Sequence, residues 1–158
     1  MNLNKFFTKQ KELNKTLLLD PNLNDYKLTQ RKFLELQIKI GVLAEETKCY
    51  KYWVEKDVKL VKSSVLDNYI NCLSSILTIG IDEKYDEVEE LVIKPNDYCL
   101  SDQFLNLFID VNDLIISPSK DHYQTLLEDY LSLGTSLCFS EKQIEELFIN
   151  NSLRKVAL

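Results

Sequence analysis

Apolar side chains recur at spacings of three, four and seven along most of the chain, so the pattern predicts helices throughout. Phe6, Leu13 and Leu17 mark an amphipathic first helix over Asn4 to Leu19, closed by Asp20-Pro21. Leu28, Phe33, Leu36, Ile40 and Leu43 place the apolar face of a long second helix that continues to Tyr50, and the charged run between Trp53 and Lys62 predicts a connection. Val65, Tyr69, Leu73, Ile76 and Leu77 define a third helix, with Ile70 widening its stripe until more than one side must be covered. Gly80 is read as its terminator. The Ile40 to Trp53 and Leu66 to Ile81 stretches are expected to form a buried helix pair.

The acidic stretch from Asp82 to Asp97 is read as a loop excursion, in which Leu91, Val92 and Ile93 have the composition of a short strand. Ser101 is placed as the cap of a fourth helix carrying Phe104, Phe108, Val111 and Leu114, stopped by Ser117-Pro118-Ser119. Tyr123 to Leu133 reads as a fifth helix closed by Gly134. Ser140 to Gln143 is a capping-box pattern that opens a sixth, with Ile144, Leu147 and Phe148 on one side. The fold class is all-α, a bundle of about six helices over one domain, 1–158.

Composition agrees with this pattern. A chain of 158 residues with 45% hydrophobic and 28% charged residues, 3 Gly and 3 Pro can bury a core but lacks the turn residues of an all-β protein. A net charge of −6 argues against a nucleic-acid binder, whose affinity comes from Lys and Arg displacing counterions. No run is long and apolar enough for a membrane span, and the charged N-terminus lacks a signal peptide's apolar core, so a cytoplasmic protein is expected. Cys49, Cys72, Cys99 and Cys138 show no metal-binding spacing and are read as buried free thiols. With His122 the single histidine, a site built on several histidines is excluded.

Three stretches carry a family likeness. The opening NLNKFFTKQKELNK, the run Gly41 to Trp53 with Ala44, Glu46, Thr47, Cys49, Lys51, Tyr52 and Trp53 in matching places, and LDNYINCLSSILTIGI resemble the dimeric all-α dUTP diphosphatases of Gram-positive bacteria and phages, relatives of the MazG-type pyrophosphohydrolases. The late run LCFSEKQIEELF resembles their last helix. The resemblance implies hydrolysis of dUTP to dUMP and pyrophosphate, with Mg²⁺ held by a Glu-x-x-Glu pair on one helix and a Glu-x-x-Asp pair on its partner. The i, i+3 spacing puts both acids of a pair on one face.

Carried over by position, those four carboxylates fall on Lys39, Val42, Asn68 and Asn71, none of them acidic. The expectation is therefore a dUTPase-like protein without Mg²⁺-dependent hydrolysis, with no cofactor, that works as a binding or interaction protein. Lys39 is expected to take the place of the metal charge between Glu35 and the retained Glu46. Family-matched candidates for contacting a deoxyuridine nucleotide are Lys51, Trp53, Asn151 and Arg154; ordinary solvated or core roles remain open for the first two. Two other readings stand beside this one. An active enzyme would hold Mg²⁺ through Glu45, Glu46 and Asp67, which are otherwise surface acids; a purely structural or regulatory protein would have no nucleotide site. A homodimer, or pairing with a related subunit, is expected from the resemblance.

Overall fold

A computed structural model describes residues 1–150, which form six helices: α1 Asn4–Lys15, α2 Asp25–Thr47, α3 Lys62–Asp82, α4 Leu100–Ile116, α5 Lys120–Ser136 and α6 Glu141–Asn150. No helix among these residues is long and apolar enough to cross a membrane. The bundle is built on α3, which packs against α1, α2, α5 and α6, while α4 and α5 form a hairpin whose first arm lies against α2. That central position explains why α3 buries residues on consecutive positions from Cys72 to Gly80 instead of along one stripe. Leu36, Ile40 and Leu43 from α2 meet Tyr69, Leu73 and Ile76 from α3 in the same apolar cluster, fully removed from water.

The ends of the helices differ from the sequence expectation, each for a local reason. α1 stops at Lys15 rather than Leu19, because Thr16 turns its hydroxyl onto the Leu13 carbonyl and Leu18 finds no cover at all. Asn24 caps α2, accepting from the Lys27 amide at 2.8 Å. The same helix ends at Thr47, well before Trp53, where Lys48 enters the left-handed region at φ 57°. Cys49 to Trp53 therefore leave the helix pair, and Tyr52 is 94% exposed.

Gly80 and Gly134 are not terminators; both lie inside their helices, which run on to Asp82 and Ser136. Ser101 does not cap α4. Cys99 holds the cap position without a side-chain bond to the helix's amides, its Sγ lying 3.3 Å from the hydroxyl of Ser101 in the first turn. The cap of α5 is Ser119, four residues before the Tyr123 at which the apolar pattern begins, while the capping box of α6 forms as expected between Ser140 and Gln143. The excursion after α3 forms no strand: a single antiparallel bridge joins Asn2 to Glu90 and leaves Val88 and Leu91 buried beneath it. Of the four free thiols only Cys72 is buried; the expectation is corrected for Cys49, which is half-buried, and for Cys99 and Cys138, which are exposed. Both exposed thiols lie at helix ends, where neighbouring elements do not close over the chain.

Candidate functional site

The site lies along the seam between α2 and α3. Residues 35, 39, 42 and 46 share one side of α2 at spacings of three and four, and 64, 68, 71 and 75 do the same on α3, so the positions expected to carry metal ligands are brought to one seam. At its centre stands Lys39. Its ammonium donates to Glu35 Oε1 at 3.0 Å, to Ser75 Oγ at 2.8 Å and to the Asn71 carbonyl at 3.3 Å. Ser75 Oγ also donates to Glu35 Oε1 at 2.8 Å, closing a ring of three side chains.

The expected sharing of Lys39 with Glu46 does not occur. Glu46 lies seven residues on, about 10 Å along the axis, and instead accepts from Ser64 Oγ at 3.0 Å. Val42 faces out beside the ionic ring, while Asn68 and Asn71 are half-buried on α3. Glu45 points elsewhere: Lys48 bonds it at 2.8 Å and, with Tyr50 second, holds its carboxyl below the usual range. One position along a helix is a rotation of about 100°, which separates it from Glu46. Asp67 is half-buried on α3.

Mg²⁺ demands oxygen ligands in near-octahedral array. An ammonium offers only donors, valine offers nothing, and two neutral amides remain, so the residues at these positions do not fit the ion. Among the described residues no group of three or more His, Cys, Asp or Glu comes together as a metal site.

The ring opens on a cleft of about 160 Å³ between α2, α3 and the chain after α1, lined by Leu17, Leu28, Arg31, Lys32, Glu35 and Thr78 among others. Beside it lies a polar layer that the apolar pattern did not reveal. Ser74 Oγ donates to Gln10 Oε1 at 2.7 Å, Gln10 Nε2 to Asn14 Oδ1 at 2.8 Å, and Thr78 Oγ1 to the same oxygen at 3.2 Å. Gln10 is 0% exposed. Its signal was its place four residues after Phe6, on the face that otherwise buries apolar groups.

Lys51 and Trp53 gather after α2 instead of on it. Lys51 pairs with Glu55 and stands 5.7 Å over the Trp53 ring, and Tyr50 and Tyr52 meet that ring edge-on at 6.2 and 5.1 Å. They make an exposed aromatic knot. Asn151 and Arg154 lie outside the described residues.

A six-helix bundle whose second and third helices face their i, i+3 positions across a seam is the frame the resemblance implied, and the dUTPase family model matches residues 2–154. The chain belongs to the all-α dUTPase family. No curated protein and no solved structure gives a significant match. As a dUTPase-family chain it keeps the helices that position the site, while the side chains at the site make an ion pair of their own. Replacing Lys39 by Met is expected to lower stability by about 1 kcal/mol, because it removes the donor that ties Glu35 on α2 to Ser75 and the Asn71 carbonyl on α3. Thermal melts of the two proteins test this, and equal melting temperatures would refute a structural role for the ring.

Proposed function

We propose that this dUTPase-family protein has lost Mg²⁺-dependent hydrolysis of dUTP and acts through binding. The observation that supports this reading is the Lys39 ammonium bonded to Glu35, Ser75 and the Asn71 carbonyl. Hydrolysis of a phosphoanhydride at neutral pH requires cations to offset charge on the phosphate oxygens and to lower the pKa of the attacking water. A lysine supplies one fixed charge and can neither bridge phosphates as a pair of ions does nor activate water as a bound hydroxide.

The remaining role is interaction. A second copy or a related subunit is the expected partner, in the cytoplasm, and a deoxyuridine nucleotide is the ligand class that the family frame suits. Pyrophosphate release from dUTP, measured with Mg²⁺ or Mn²⁺ at enzyme concentrations in the micromolar range, is expected to stay at the uncatalysed level. A titration of a non-hydrolysable dUTP analogue run alongside is expected to give the same affinity with and without metal. Metal-dependent turnover would overturn the reading and direct attention to Glu45, Glu46 and Asp67.

A further inference from the structure

A second cleft runs along the side of α2 that faces α4. It encloses about 390 Å³ and, among the described residues, shares only Arg31 with the cleft beside the ionic ring. Small ligands occupy pockets of about 300–1,000 Å³. Lys27, Gln30, Arg31, Leu34 and Gln37 follow one another at steps of three and four, which keeps them on one side of α2 over about 15 Å of its length. Ile115, near the end of α4, lines the cleft as well, and Phe33, 7% exposed, supplies its floor.

The polar side chains here are not used by the fold. The other two cations of α2 are taken, Lys32 by Asp82 and Lys39 by Glu35, whereas Lys27 and Arg31 make no ion pair with a described residue. The carboxamides of Gln30 and Gln37 likewise make no hydrogen bond to one. No acidic residue lines the cleft, although the chain carries 25 acids against 19 basic residues. A solvated surface cation needs no guest. What sets this pair apart is the apolar ground beside it, Phe33, Ile115 and the half-exposed Leu34, which only an apolar body would cover.

We infer that the cleft between α2 and α4 binds a small organic anion, its oxyanion head on Arg31 and Lys27 and its apolar body on Phe33, Leu34 and Ile115. The head is a carboxylate or a phosphate monoester. Both present the paired oxygens that the planar fork of a guanidinium meets, and the two carboxamides add uncharged donors beside it. An inorganic ion lacks the body and an alcohol lacks the charge, so neither gains the whole of the binding energy. Arg31 borders both clefts, and a guest that holds it fixes one wall of the cleft beside the ionic ring. The inference requires neither metal nor nucleotide, and it stands apart from the reading of the seam between α2 and α3.

Titration of the full chain with phenylbutyrate and with phenyl phosphate tests it, followed through amide chemical shifts, with phenylbutanol as the uncharged counterpart. Both anions are expected to bind saturably and to shift the amides of Lys27 to Gln37 together with that of Ile115. The alcohol is expected to bind about tenfold more weakly. Whichever anion binds more tightly tells which head the cleft prefers.

Arg31→Gln removes the fork and is expected to weaken both anions about tenfold while leaving the alcohol unchanged. Leu34→Asn is expected to weaken anions and alcohol alike, by about threefold. Lys56→Gln, an exposed lysine outside the cleft, is expected to change nothing. Circular dichroism confirms that each variant keeps its helices. The inference would be overturned by two anions that fail to saturate at about 10 mM, or by an alcohol that binds as tightly as they do. Binding that survives Arg31→Gln and is lost in Lys39→Met would place the anion at the ionic ring and refute the cleft.

Discussion

Gly134→Ala is expected to lower stability by about 2–3 kcal/mol, an effect of the size seen when a well-packed core is overfilled. The residue lies in the middle of the last turns of α5, where alanine is otherwise the better helix former by roughly 1 kcal/mol. What reverses the sign is Tyr69. Its Cζ would stand 2.7 Å from an added Cβ at Gly134, and its hydroxyl closer still. The ring cannot step aside. It stacks on Tyr130 at 4.7 Å between centroids, 11° from parallel, and each tyrosine hydroxyl donates to the other's backbone carbonyl, at 3.2 Å from Tyr69 and 2.6 Å from Tyr130.

Both tyrosines are fully buried, and burial raises their pKa values together with that of the Cys72 thiol, which is pushed up to about 12. Gly80 repeats the arrangement on α3, under Tyr123, whose hydroxyl donates to the Ile76 carbonyl at 3.0 Å. For a chain of this size the loss at Gly134 corresponds to a fall of roughly 5–10 °C in melting temperature. An unchanged melt would mean that the tyrosine pair can tilt without cost, which the reciprocal hydrogen bonds argue against.

The same two glycines show where a sequence can be read and where it cannot. A glycine at the end of an apolar run ordinarily signals a helix end. Here both glycines answer to a ring from a helix distant in the chain, and no local pattern reports such an approach. Spacing alone revealed α3, because Val65, Tyr69, Leu73 and Ile76 recur at three and four along one side of it, whereas the exit of α2 depends on Lys48 taking a positive φ that nothing in its own chemistry demands.

At the site, the Glu35–Lys39 contact is an i, i+4 pair and follows from spacing. Ser75 and the Asn71 carbonyl arrive from another helix and could not be counted from the sequence. Glu46 bonds to Ser64 on α3 and does not reach Lys39, because seven residues restore the angle on a helix but not the distance along it.

The second large effect concerns acidity. Asp110 on α4 is 7% exposed and faces Asp129 on α5 across Asn106, whose Nδ2 donates to Asp129 Oδ2 at 2.9 Å and to Asp110 Oδ2 at 3.4 Å. A neutral amide gives each carboxylate one N–H and offsets neither charge. Burial first, then the hydrogen bond with Asp129, and after it the charges of Asp129 and Asp113, push the Asp110 carboxyl up to about 8.

Its unfolded value is about 3.9, so the folded chain holds the proton more tightly than the unfolded chain does. The stabilisation linked to that proton is complete below about pH 4, declines as pH rises, and is gone above the folded value. Between pH 5 and 9 the protein is therefore expected to lose about 3 kcal/mol of stability from this pair, at 1.36 kcal/mol per unit with allowance for the coupling to Asp129. Asp110→Asn keeps a donor toward Asp129 without a charge to bury. It is expected to be more stable than the parent at pH 9 by about 2–3 kcal/mol and to level the slope of stability against pH across that range. Urea unfolding of both proteins at pH 5, 7 and 9 measures this directly, and parallel slopes for the two would show that the carboxyl between α4 and α5 does not hold a proton in the folded state.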